Sequence, residues 1–98
     1  MMRILGLDKL DKASRKHPDA RDALRVWIAS VERNDWSNVS DLLKQFNRVK
    51  YIPENGYCFR IKNNAYRLHT QVSFEYKTVK ILGFWTHAEY DKERLNTR

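Results

Sequence analysis

A single cysteine, Cys58, leaves no partner for an intramolecular disulfide, and three histidines, His17, His69 and His87, lie far apart along the chain. No Cys and His spacing matches a structural zinc site, so neither a metal nor any other cofactor is expected. Long apolar runs are missing as well. The opening MMRILGLDKL is much too short for a signal peptide or a membrane span, and nothing later approaches ~18 apolar residues. These absences point away from membrane association and toward a reduced, cytoplasmic setting. There is no internal repeat and no low-complexity tract.

What is present is enough for one core. Ninety-eight residues hold one domain, 1–98, and at 42% hydrophobic and 12% aromatic the chain can bury enough apolar surface to offset the entropy of ordering. The net charge of +7 is unevenly spread. Residues 1–43 carry eight basic and seven acidic side chains, residues 44–80 carry eight and two, and residues 81–98 carry three of each. A concentrated positive field of this kind favours a polyanionic partner, nucleic acid or an acidic protein segment.

The apolar spacing changes midway. RILGL reads as a short strand and DKLDKASRKH as an amphipathic helix entered at Asp8. Pro18 and Asp19 mark the start of the main core helix, in which Leu24, Trp27, Ile28 and Val31 recur at i, i+3, i+4 and i+7. SNVSDLLKQF offers Ser37 or Ser40 as the N-cap of a third helix, with Leu42, Leu43 and Phe46 as its stripe. From Arg48 the period becomes two. RVKYI and YCFRI flank PENG, where Asn55 and Gly56 suit a tight hairpin; Asn63 and Asn64 suit a second turn, and Lys77 and Thr78 a third. Between the last two, Tyr66, Leu68, Val72, Phe74 and Tyr76 share one face while Arg67, His69, Gln71, Ser73 and Glu75 share the other. The fold class expected is α+β, with N-terminal helices packed on one face of a twisted antiparallel sheet and a short C-terminal helix. The uncovered face then gathers Arg60, Lys62, Arg67 and His69.

The closing segment FWTHAEYDK explains itself partly as structure. Thr86 is a good N-cap, Glu89 three residues on completes a capping box, and Trp85 can staple onto Tyr90. Neither cap nor staple needs His87. Tyr90 and Asp91 stand at i+3 and i+4 from it, so all three reach one side of one helical turn. Such a turn beside a basic sheet suits proton transfer at a phosphate.

Residues 60–92, RIKNNAYRLHTQVSFEYKTVKILGFWTHAEYDK, resemble the HigB-type toxins of bacterial toxin–antitoxin pairs, within the wider RelE-like group of messenger-RNA interferases. The likeness rests on Asn64 with Tyr66, Arg67 and Leu68 behind it, on the long hairpin, and on Thr86, His87, Glu89, Tyr90 and Asp91; DWSNVSDLLKQF also looks like the family's pattern before the sheet. Asn63 stands where relatives often have Gly, and the Pro after the Asp-Trp pair is missing.

The resemblance implies a RelE-like fold and an endoribonuclease that cuts messenger RNA on the translating ribosome, neutralised by a HigA-type helix-turn-helix antitoxin. The reaction needs a base for the ribose 2′-hydroxyl, an acid for the leaving 5′-oxygen, and cations for the phosphate. Arg67 is the expected clamp, His87 the proton-transfer group oriented by Asp91, and Tyr90 a second acid or a stacking surface. Lys50, Arg60, Lys62, Lys80 and Lys92 are expected on RNA backbone, and Asn64 at the turn or a base edge. His69 is expected to be a bystander. Two other functions fit the same basic face: a non-catalytic RNA- or ribosome-binding module, and a structural domain docking an acidic protein. Direct DNA binding is not expected, since the charge lies on strands and no basic recognition helix appears.

Overall fold

A computed structural model describes residues 1–46, 49–52, 54, 56–63 and 65–89. Strand β1 (Arg3–Leu5) leads into helix α1 (Leu7–Lys16), a 3-10 turn (Pro18–Ala20), α2 (Arg21–Arg33) and α3 (Val39–Gln45). Four strands follow: β2 (Lys50–Ile52), β3 (Gly56–Ile61), β4 (Tyr66–Ser73) and β5 (Thr78–Thr86). Residues 87–89 then open a short C-terminal helix. The sheet order is β1-β5-β4-β3-β2. Four strands form the expected antiparallel meander, but β1 joins β5 in parallel, so the sheet is mixed. A parallel partner requires a crossover, and the helical layer between β1 and β5 supplies it.

The helices bury the faces their spacing predicts. Leu24, Trp27 and Val31 of α2 are buried, with Ile28 half-buried beside them. Their rings and branches meet Tyr57, Phe59, Ile61, Tyr66, Leu68 and Val72 of the sheet in one core. Trp27 meets Phe59 edge-on at 5.2 Å, Phe46 meets Phe59 at 5.1 Å and Trp36 meets Phe46 at 6.0 Å. This row of edge-to-face aromatics ties α2 and the end of α3 onto β3. Leu68 sits fully buried in the middle of the central strand β4, so Leu68→Ala would cost about 2–5 kcal/mol.

Several local expectations shift. The N-cap of α3 is Asn38, not Ser37 or Ser40: its Oδ1 accepts from Asp41 N at 3.0 Å, while Ser37 N donates back to Asp41 Oδ2 at 2.9 Å. Leu42 is buried and Leu43 is exposed. Among the described residues of the first hairpin the left-handed one is Glu54, with φ 68°, and Gly56 belongs to β3. Gly56 sits in a close approach, where a Cβ would lie 3.2 Å from Ile52 and 3.3 Å from His69 Nε2. Asn55 lies outside the described residues. The second turn carries its positive φ on Lys62 (54°) and Asn63 (51°), and Lys77 (56°) marks the third. Strand β4 ends at Ser73, whose hydroxyl accepts from Tyr76 N at 3.2 Å. Phe74 still packs on the core, but Tyr76 is exposed in the turn rather than aligned with Tyr66. No described helix is long and apolar enough to cross a membrane.

Candidate nucleic-acid interface

Period-two alternation sends Tyr57, Phe59, Ile61, Tyr66, Leu68 and Val72 to the helical side, and the residues between them to the opposite face. Among the described residues no helix packs on that second face. Its rows can be read from the ladder. Arg60 stands opposite Arg67, and Arg67 opposite Trp85. In the next row Lys50, Cys58, His69 and Gly83 follow one another across β2 to β5. Beyond it lie Gln71, Lys80 and Leu5, and then Arg3 on β1. The floor is covered, with Cys58 and Arg67 buried and His69 half-buried, whereas Lys50, Arg60, Lys80 and Arg3 are exposed around it. Arg3 went unnoticed in the sequence because β1 reaches this face only through its parallel pairing with β5.

An irregularity in β5 decides which residues join the face. His69 pairs with Gly83 but Thr70 pairs with Ile81, which leaves Leu82 as an extra residue. Such a bulge reverses the alternation beyond it. Val79 and Ile81 therefore point into the core, as do Phe84 and Thr86, while Gly83 and Trp85 turn to the cationic face.

Arg67 is 7% exposed, and its Nη1 lies 3.5 Å from the Tyr66 carbonyl. His69 has its ring 6.1 Å from that of Trp85 and its Nε2 against Gly56. Burial lowers the His69 pKa, favouring neutral imidazole.

The C-terminal cap forms as its sequence predicts. Thr86 N donates to Glu89 Oε1 at 2.9 Å and Glu89 N donates to Thr86 Oγ1 at 3.1 Å. The Thr86 backbone bond, aided by the Thr86 hydroxyl and the nearby Lys16 and His17, holds the Glu89 carboxyl below its ordinary range. His87, exposed, donates its backbone N–H to the Ala65 carbonyl at 3.0 Å. The cap thus sets His87 two residues past Trp85, at the Arg60–Arg67 end of the sheet.

Lys62 does not join the cationic face. The strand ends at Ile61, and the left-handed turn sends Lys62 to Asp19 on the helical side, with Nζ 2.8 Å from Oδ2. Tyr66 donates its hydroxyl to the same carboxylate at 2.7 Å and stacks on Phe84 at 5.0 Å. The arrangement therefore unites Arg60, Arg67, His69, Lys50 and Lys80, and places His87 at one end. Asn64, Tyr90, Asp91 and Lys92 lie outside the described residues. Among the described residues no three His, Cys, Asp or Glu side chains are grouped to hold a metal ion.

A helical layer on one side of a sheet and a cationic, aromatic-bearing face on the other define the architecture of a RelE-like protein. Residues 20–93 match the family model for HigB toxins, described as the RelE-like toxic component of a toxin–antitoxin system. The match covers most of the chain, which belongs to that family. Among curated proteins none matches it. Membership makes the chain the toxin of a pair, with an antitoxin as its partner.

Proposed function

We propose that this toxin is an endoribonuclease that cuts messenger RNA, on the translating ribosome and in the cytoplasm, by attack of a ribose 2′-hydroxyl on the adjacent phosphate. The observation that carries the proposal is Arg67, nearly buried at the floor of a face whose rim is Arg60, Lys50 and Lys80. A guanidinium held there is poised to grip two phosphate oxygens as negative charge grows on them. The exposed cations around it suit the RNA backbone.

In the step itself the 2′-oxygen bonds to phosphorus and the bond from phosphorus to the 5′-oxygen breaks. One proton leaves the 2′-hydroxyl and another reaches the departing 5′-oxygen. His87, two residues past Trp85, the cross-strand partner of Arg67, is the proton-transfer group we assign, with Asp91 orienting it and Tyr90 as the second acid. Lys92 and Asn64 are assigned to the RNA backbone and a base edge. The antitoxin is proposed to be of the HigA helix-turn-helix type.

The test is to add purified chain to translating ribosomes and map cut ends. Cuts leaving a 5′-hydroxyl, blocked by a 2′-deoxy sugar at the scissile position, are the expected result. Arg67→Ala and Arg67→Lys should both lower the cutting rate by about a hundredfold or more, since a lysine cannot reproduce the bidentate grip. Ribosome binding without any cutting by the wild-type chain would instead establish a non-catalytic binding module. Co-expression with a helix-turn-helix partner should relieve growth arrest.

A further inference from the structure

Gly83 and Trp85 share the cationic face, and the indole is folded back over the glycine. A Cβ built on Gly83 would fall 2.3 Å from Trp85 Cη2, 2.6 Å from Cζ2 and 3.0 Å from Cζ3. All three atoms belong to the six-membered ring. Backbone strain is not the reason for the glycine, since Gly83 is absent from the residues of positive φ. Space is the reason: no residue with a side chain fits under this ring. The indole is thus laid against the strand, its ring centre 6.1 Å from that of His69, in the row of Arg67.

The other two tryptophans have different work. Trp27 is 3% exposed and Trp36 is 2% exposed, both inside the core, while Trp85 is only part-buried on the sheet face. A core role for Trp85 is closed off by the bulge at Leu82, which turns it away from Phe84 and Ile81. A flat aromatic surface set among cations that hold phosphates is the arrangement by which single-stranded nucleic acid is bound: charge follows the backbone and a ring takes a base.

We infer that Trp85, seated on Gly83, is a nucleobase-stacking site for single-stranded RNA, placing one base over the indole while Arg67 faces its phosphate. This deepens the proposed nuclease reading and rests on it for RNA as the source of the base. Trp85 binds and positions; it transfers no proton. Stacking accepts any base, with purines offering the larger surface, so the site would favour a purine without reading a sequence.

The experiment uses the full chain and a short single-stranded RNA with 2′-O-methyl sugars, which binds but cannot be cut. A matched strand has abasic residues at its central positions. The wild-type chain should bind the intact strand about tenfold more tightly than the abasic one, and binding should quench the Trp85 part of the tryptophan emission, since Trp27 and Trp36 are buried in the core. Trp85→Ala should lose that tenfold and the quench while binding the abasic strand as the wild type does. Trp85→Phe should keep most of the preference. Gly83→Ala, which expels the ring without removing it, should behave as Trp85→Ala with an unchanged far-ultraviolet spectrum. Equal binding of intact and abasic strands by the wild type, or equal loss of both on Trp85→Ala, would overturn the inference. Failure of the chain to cut messenger RNA would sink the nuclease reading but leave this binding result standing, so the two are separable.

Discussion

Arg60 and Arg67 stand directly opposite one another across β3 and β4, one exposed and one buried. Like charges placed directly across an antiparallel ladder cost stability. Arg60→Thr keeps a good strand residue and removes the repulsion. It should raise stability by about 0.2–1 kcal/mol in urea unfolding. The same variant should bind RNA more weakly, with a log–log salt dependence shallower by roughly one. A variant that lost stability would show that Arg60 is held by the fold rather than for a ligand.

Asp19 carries a second relationship that solution pH will expose. Lys62 and the Tyr66 hydroxyl, in that order, hold its carboxyl below the ordinary Asp range, and the same bond to Asp19 raises the Tyr66 pKa. A depressed acid contributes stability above its unfolded value of about 3.9, lost as pH falls through the lower folded value. A raised tyrosine contributes stability below about 10, lost as pH rises toward the higher folded value. One cluster thus steepens both arms of the stability curve. Asp19→Asn should flatten both in thermal melts taken from pH 2 to 11, with little change in sheet content.

How much of this was readable in advance depends on the residue. The core stripe of α2, the turn at Asn63, the Thr86–Glu89 box and the alternation of Arg67 with Leu68 all follow from local spacing, and all are present. Trp85 was not readable on the correct face. Strict alternation from Val79 puts Ile81, Gly83 and Trp85 inside and Phe84 outside, and the extra residue at Leu82 reverses this. No residue type announces a bulge. Lys62 misled for a related reason, since it stands one residue past the strand end, where alternation no longer governs direction. Gly56 looked like a turn residue because glycine is usual there, but it stands in β3, closely approached by Ile52 and His69, which only tertiary structure reveals. The parallel docking of β1, with Arg3, depends on contacts some 75 residues apart in sequence.

His69 should make the protein acid-sensitive in a milder range. Burial against Gly56 and beside Trp85 lowers its pKa, with Arg67 on the same face and strand two residues away. The unfolded chain then binds a proton first, at about pH 6.5, so stability is full above that value and declines as pH falls toward the folded value. Replacing the imidazole by the uncharged amide in His69→Gln should remove this decline below about pH 6.5. Urea midpoints measured across that interval decide the matter: a slope that persists in His69→Gln would have to be assigned to another group.

Thr86 tests whether the cap serves more than the helix. Its hydroxyl accepts from Glu89 N and its backbone N–H donates to Glu89, while the next residue, His87, is tied to Ala65. Thr86→Ala removes the hydroxyl half of the box and should cost about 0.5–2 kcal/mol; Thr86→Ser, which retains the oxygen, should restore most of it. If the cap also fixes His87 for proton transfer, Thr86→Ala should lower the rate of cutting at saturating RNA while leaving RNA binding intact, because the cationic face is untouched. Thr86→Ser should recover the rate together with the stability. A stability loss with an unchanged cutting rate would leave the box as a helix start alone and would separate His87 from the chemistry assigned to it.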